Sequence, residues 1–389
     1  MQVAEKHHTD RDRPRWWSHL VAPILLFLLC IGFFWKIVLT NQYTWLESPD
    51  IAYQVLPWFQ YQAGEIHAGR VPLWDPYHWG GQSLIGQAQP GVAYPLNWIL
   101  FSLPLRHGWI RQVNLHWYFV VIHFMAALFC YWLCRDLKRS RLASIAGGLA
   151  FGLGGYIGTT EWPQMINGAV WAPLVFLFLL RALRGERPVA NSALSGMFLG
   201  VAWLSGHHQI PVFITLAVGG VWLYYLFKSG RFERKIAGFC AVFGVFLVLT
   251  SALQTLPSYE YGRLAKRWVG ASEAKGWKQP VPYNVHGTYS LGASSLLSIV
   301  VPDHYRHSDP SIGIVALTLA LLGVALGWRH RPVRLFGAIA IGGLLFSLGR
   351  NNVFHGILYA VVPLVEKART PAMAVFIFHF GIAVLIAYG

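Results

Sequence analysis

Long apolar stretches alternate with short polar ones along nearly the whole chain. Runs at 19–40, 114–134, 142–158, 168–184, 190–206, 209–227, 236–256, 311–327, 333–349 and 371–389 each approach the ~20 apolar residues a helix needs to cross a bilayer. Only helices and closed barrels satisfy their backbone groups in lipid. The pattern predicts an all-α polytopic membrane protein with about ten transmembrane helices, forming one transmembrane domain over 1–389.

Two interruptions are long. The first runs over 41–112 and the second over 257–310. In the first, Ser48 is suited to cap a helix with Pro49 at its first position. Ile51, Val55, Trp58, Phe59, Gln62 and Ile66 then recur at helical spacing, a stripe suited to a helix lying in the headgroup layer. The following "GRVPLWDPYHWGGQSLIGQAQPGVAYPLNWILF" is rich in Gly, Pro, Trp, Tyr and Gln but poor in Lys, Glu and Ser, so it reads as ordered. Its apolar end, Tyr94 to Leu105, is too short to span and predicts a re-entrant or interfacial helix. Another short apolar piece lies between Arg350 and Arg369. Six glycines in the third run, Gly147 to Gly158, permit close helix contact.

Composition agrees with this class: 55% of the residues are hydrophobic and 12% charged. The net charge of +15 would suggest nucleic acid for a soluble protein. Here the cations fall in every second loop, in clusters Arg135 to Arg141, Arg181 to Arg187, Lys228 to Lys235 and Arg329 to Arg334. That is the positive-inside pattern, so the charge predicts orientation and no nucleic-acid partner. The intervening loops, which carry most of the acids, then face outward, and the N-terminus is cytoplasmic. The first run follows Arg11, Arg13 and Arg15, but its length, Lys36 and the lack of a small-x-small site favour a retained anchor over a cleaved signal peptide. The four cysteines, Cys30, Cys130, Cys134 and Cys240, lie in the runs and read as small buried hydrophobes, not a metal site. The last run stops at Gly389 without a polar flank, which predicts that the natural chain continues.

Taken in order, "SPDIAYQVLPWF", "GRVPLWDPYHWGGQSLIGQAQPGVAYPLNW", "LSGHHQ", "LQTLPSYE", "LLSIVVPDHY" and "SLGRNNVFHGILYAVVPLVEKARTP" resemble the YfhO-like bacterial membrane proteins of the C-type (GT-C) superfamily of lipid-linked-sugar glycosyltransferases. The chain departs from that family at His208, where proline is usual, and in "EKARTPAM", which has one arginine where two are common. The resemblance implies a GT-C-like helix bundle in the bacterial inner membrane and a polyprenyl-phosphate sugar donor. It also implies an acceptor in the cell envelope, and a catalytic base in the first outward loop, which by position is Asp50.

Such a transfer needs a base for the acceptor hydroxyl and cations or dipoles for the departing phosphate. Asp50 fits the base, with Glu47 a neighbouring candidate for substrate contact. Glu161 and Glu260, at the edges of outward loops, are candidates for sugar hydroxyls or a divalent cation, the one cofactor the sequence leaves open. Arg350, Lys367 and Arg369 are the phosphate-side candidates, since guanidinium suits bidentate phosphate contact. His207, His208 and Gln209 form a polar apex expected to line a cavity and, with Gln87 of the ordered first loop, are candidates for substrate contact. Trp74, Tyr77 and Trp79 offer faces for a sugar ring or anchors at the interface. Asp303, His304, His307 and Asp309 give a weak metal-ligand spacing. The competing reading is a flippase or transporter of lipid-linked sugars without catalysis. It is disfavoured by acids concentrated at one face and by the lack of a visible inverted repeat.

Overall fold

All ten apolar runs are helical in the computed structural model, which describes residues 20–40, 42–301 and 308–389. Arg11, Arg13, Arg15, Asn41, Asp303, His304 and His307 lie outside the described residues. Among the described residues the strands are confined to one antiparallel hairpin, Trp74–Asp75 with Gln82–Ser83. Among the described residues four helices are long and apolar enough to cross a membrane: Gln112–Asp136, Pro163–Leu183, Gln209–Phe227 and Arg234–Leu264. Val21–Phe33, Arg141–Leu153, Ile314–Gly327 and Pro371–Ile386 are shorter apolar helices.

Local chemistry explains the shortening. The first run breaks at Phe34, between Val21–Phe33 and Trp35–Leu39. The third breaks at Gly154 and Gly155, the latter with φ +44°, before the short helix Gly155–Thr159. The last starts as the tight turn Pro371–Ala374 and continues as Val375–Ile386. In the other direction, Arg234–Leu264 runs eight residues past its predicted end at 256, carrying Pro257 inside it. Glu260 therefore sits exposed on a helix and not in a loop.

Val375–Ile386 is buried along its entire length and forms the centre of the bundle. Glycines on the surrounding helices admit its backbone. An added methyl at Gly147 would lie 2.7 Å from the Ala383 carbonyl oxygen, and one at Gly343 2.7 Å from the Phe378 amide. Gly148 meets the Ala127 carbonyl oxygen in the same way at 2.6 Å, so the glycines of the third run do serve close helix contact.

The four basic clusters share one end of the bundle. The Tyr388 ring lies under Arg139 at 4.2 Å, near His330 at 6.2 Å and in the field of Arg184. Tyr225 lies under Lys228 and in the field of Arg331. Gln112–Asp136 begins beside the first long loop, where Thr44 meets His116 at 3.1 Å, and ends in the first cluster. At 1.5 Å per residue these ends are about 37 Å apart.

Candidate functional site

Asp50 stands at the start of a helix made of a π-type turn, Ile51–Val55, and the regular Leu56–His67. The expected Ser48 side-chain cap is replaced by its backbone: the Ser48 carbonyl accepts the Ala52 amide at 2.9 Å. Ile51, Val55, Trp58, Phe59 and Gln62 are buried and Ile66 is partly so, as the helical stripe predicted. The stripe packs against protein, however, and not into a headgroup layer. Phe59 meets Phe101 edge-on at 5.1 Å, and the Gln62 amide donates to Pro90 O at 2.9 Å. A stripe of this kind looks the same in sequence whether lipid or protein covers it. Its opposite side leaves Asp50 and Tyr53 exposed.

The hairpin folds over that exposed side. Asp75, 1% exposed, accepts the Tyr77 amide at 2.9 Å and meets His78 Nδ1 at 2.6 Å. The Asp75 carboxylate accepts from Nδ1 and so fixes the orientation of the His78 ring. Together these elements enclose a cavity of about 510 Å³ lined by Asp50, Tyr53, Gln54 and Trp58 from the helix and His78, Trp79 and Gln82 from the hairpin. Gln87 and Gln89 complete it from the turn that follows. Among the described residues no lysine or arginine lines it. Trp79 is 92% exposed, with its ring faces free. Trp74 is not a lining residue; its ring covers Gly81 and its carbonyl accepts the Tyr61 hydroxyl at 2.7 Å. Tyr77 is exposed beside Tyr61, and Glu47 is exposed away from the lining.

Three other predicted residues, His207, His208 and Gln209, follow a turn that adjoins this cavity. The turn holding His207 and His208 rests on the Gln87 to Gly91 segment through Gly206, whose φ is +98°. Beyond it, Gln209 Nε2 donates to the carbonyls of Arg369 and Thr370, the latter at 2.9 Å. Arg369 donates to Val269 O at 3.2 Å, and Arg267, which sequence reasoning missed, donates to Lys367 O at 3.3 Å. The surrounding protein, and then the charge of Arg369, make Arg267 a weaker base than usual, so the two cations lie within each other's field. Burial, and then Arg267, push His208 down to about 4. Glu161 and Gln164 flank the start of Pro163–Ala169, the helix whose Gly168 packs against Ser205 and Ile210. Glu161 Oε2, both amide atoms of Gln164 and His208 Nε2 are closed to solvent and have no hydrogen-bond partner among the described residues. Buried polar atoms left this way are costly and suit a polar ligand.

Arg350 lies outside both groups, exposed, with its amide on Ser290 Oγ at 3.0 Å. Lys367 is engaged with Gln279 O at 3.1 Å and Glu366 at 3.5 Å. Asp309 is buried. Among the described residues no three His, Cys, Asp or Glu side chains gather as a metal would need.

A buried polar chain braces the first loop against the bundle, and the sequence did not reveal it. Asn97 donates to Gly91 O at 2.9 Å and accepts from the Tyr118 hydroxyl at 2.7 Å. Asn167 donates to that same hydroxyl at 2.8 Å, and the Tyr94 hydroxyl donates to Asn167 O at 3.2 Å. An asparagine in the short apolar run after Tyr94 was the available signal, since a polar side chain there needs a partner.

A second unforeseen feature holds the Arg369 segment. Ala368 O accepts from His286 Nδ1 at 2.8 Å, which leaves His286 Nε2 as acceptor for His355 Nε2 at 2.9 Å. His355 Nδ1 then accepts the Tyr283 hydroxyl at 3.3 Å. This assignment needs both imidazoles neutral. Burial, and then His286, push His355 down to about 4, and burial also lowers His286. Protonation is thus easier in the unfolded chain, so the pair's stabilisation is complete above the usual 6.5 and is lost as pH falls toward about 4. We expect the thermal midpoint in detergent to drop over that window, and His355→Gln to flatten the drop. An equally steep drop in the variant would show that the pair is not its source.

No protein-family model matches the chain, and no curated protein matches it.

Proposed function

We propose that the protein is a membrane glycosyltransferase of GT-C type, a bundle of about ten transmembrane helices in the bacterial inner membrane. It moves a sugar from a polyprenyl-phosphate donor to a cell-envelope acceptor at the outer face. One observation carries this reading: Asp50 lines a cavity walled, among the described residues, by amides and aromatic rings without a lysine or arginine, while cations stand beyond the adjoining turn. Amides and ring faces suit the hydroxyls and apolar faces of a neutral sugar. Arg267 and Arg369 suit the phosphate, which the Asp50 carboxylate would repel.

In this reading Asp50 takes the proton from the acceptor hydroxyl as that oxygen bonds to the anomeric carbon. The bond from carbon to phosphate oxygen breaks with its electrons going to the phosphate, whose charge the arginines offset. His78, oriented by Asp75, is a second proton carrier in the same cavity.

The phosphate side is tested by exchanging Arg369. Arg369→Ala is expected to raise the donor KM by roughly tenfold or more, as for a lost charge-assisted contact. Arg369→Lys should recover part of it, since an ammonium supplies charge without the planar fork. Wild-type KM in both variants would remove Arg369 from the site.

A further inference from the structure

The end of the bundle that carries the basic clusters has its own crevice, about 37 Å along Gln112–Asp136 from the first loop. It encloses about 460 Å³ between that helix and the helices Ala172–Leu183 and Pro188–Trp203. Its walls are apolar, including Trp132, Leu174 and Phe178. Arg135, Lys138 and Arg181 stand at its polar positions, with Asp136 as the one carboxylate among the described residues.

Asp136 offsets only part of this rim: its Oδ1 takes Arg181 Nε at 2.6 Å and its Oδ2 takes Arg184 Nη2 at 2.5 Å, a cation outside the lining, so Arg135 and Lys138 are left without its charge. Lys138 is exposed, and among the described residues no carboxylate pairs with it. It sits just past the helix end with φ +62°. The last helical carbonyls there are already capped, Arg135 O by the Lys138 amide at 3.0 Å and Cys134 O by the Arg139 amide at 3.1 Å. The ammonium is therefore left facing outward, with an apolar trough beside it.

We propose that this crevice binds one anionic phospholipid, its phosphate at Lys138, Arg135 and Arg181 and an acyl chain along the trough. A soluble anion would use only the rim, and a zwitterionic lipid only the trough; the combination selects a lipid with net negative charge. The site stands apart from the proposed transfer reaction and does not depend on it.

The test uses the purified, delipidated chain in detergent. Native mass spectrometry measures the binding of phosphatidylglycerol and phosphatidylcholine, and a thermal midpoint is recorded with inorganic phosphate. Phosphatidylglycerol is expected to bind at least about fivefold tighter than phosphatidylcholine, as one or two interfacial cations allow. Inorganic phosphate at millimolar concentration should leave the midpoint unchanged. Lys138→Gln should remove most of the lipid preference and Lys138→Arg should keep it. Lys228→Gln, an exposed cation of the same end outside the crevice, should have no effect. Equal binding of the two lipids, stabilisation by phosphate alone, or equal effects of Lys138→Gln and Lys228→Gln would each overturn the assignment.

Discussion

Asp50→Asn is expected to lower sugar transfer by roughly 10²–10⁴-fold, the usual contribution of a positioned general base. The change preserves side-chain shape and removes only the proton-accepting charge. Asp50 is exposed at the cavity wall and caps no helix through its side chain, so protein level and thermal midpoint should stay close to wild type. Glu47→Gln, a carboxylate three residues away and outside the lining, is the matched control and should retain most activity. His78→Gln should fall between the two if the imidazole only carries the proton onward. Near-normal transfer by Asp50→Asn at matched protein level would remove it as the base, and loss of protein in place of activity would make it a structural residue.

Gly206→Ala should be comparably damaging for a different reason. The position has φ +98°, and an added methyl would lie 2.9 Å from the carbonyl oxygens of both Ala88 and Gln89 and 3.1 Å from Gly91 Cα. All three contacts are backbone, so no side chain can rotate away. Backbone strain of this kind costs on the order of 1–3 kcal/mol. The turn carrying His207 and His208 must then lift from the segment that supplies Gln87 and Gln89 to the cavity. A displacement near 1 Å at a reacting site can cost about 10²-fold in rate. Gly219→Ala, in the following helix with nothing within 4 Å, should leave both midpoint and activity unchanged. A Gly206→Ala protein with wild-type midpoint and transfer would mean that the two segments do not depend on each other.

The helical character of the chain was legible because apolar runs near membrane length admit few other structures. The stripe from Ile51 to Ile66 was legible as a helix for the same periodic reason, but not the identity of what covers it. Asp50 and Gln87, both singled out from sequence, line one cavity, and Gln209 contacts Arg369 across 160 residues. What sequence could not reveal consists of contacts between distant segments. Asn97, Tyr118 and Asn167 meet across 21 and 49 residues, and His286 meets His355 across 69. None of these pairs has a local spacing that announces it. Asp75 with His78 was within reach, since a short polar residue three positions before a histidine in a Pro-containing turn can accept its ring N–H. Arg267 was overlooked because it lies in a polar stretch where a cation needs no explanation.

The central claim, that the chain cleaves a lipid-linked sugar and does not merely carry it, is tested by following both halves of the donor. Purified protein in proteoliposomes would be supplied with polyprenyl phosphate bearing a labelled hexose, together with an extract of envelope lipids and glycans. Label is expected to appear on an acceptor while unglycosylated polyprenyl phosphate accumulates in equal amount, and Asp50→Asn should suppress both. Intact labelled donor crossing the bilayer with no free polyprenyl phosphate formed would contradict it.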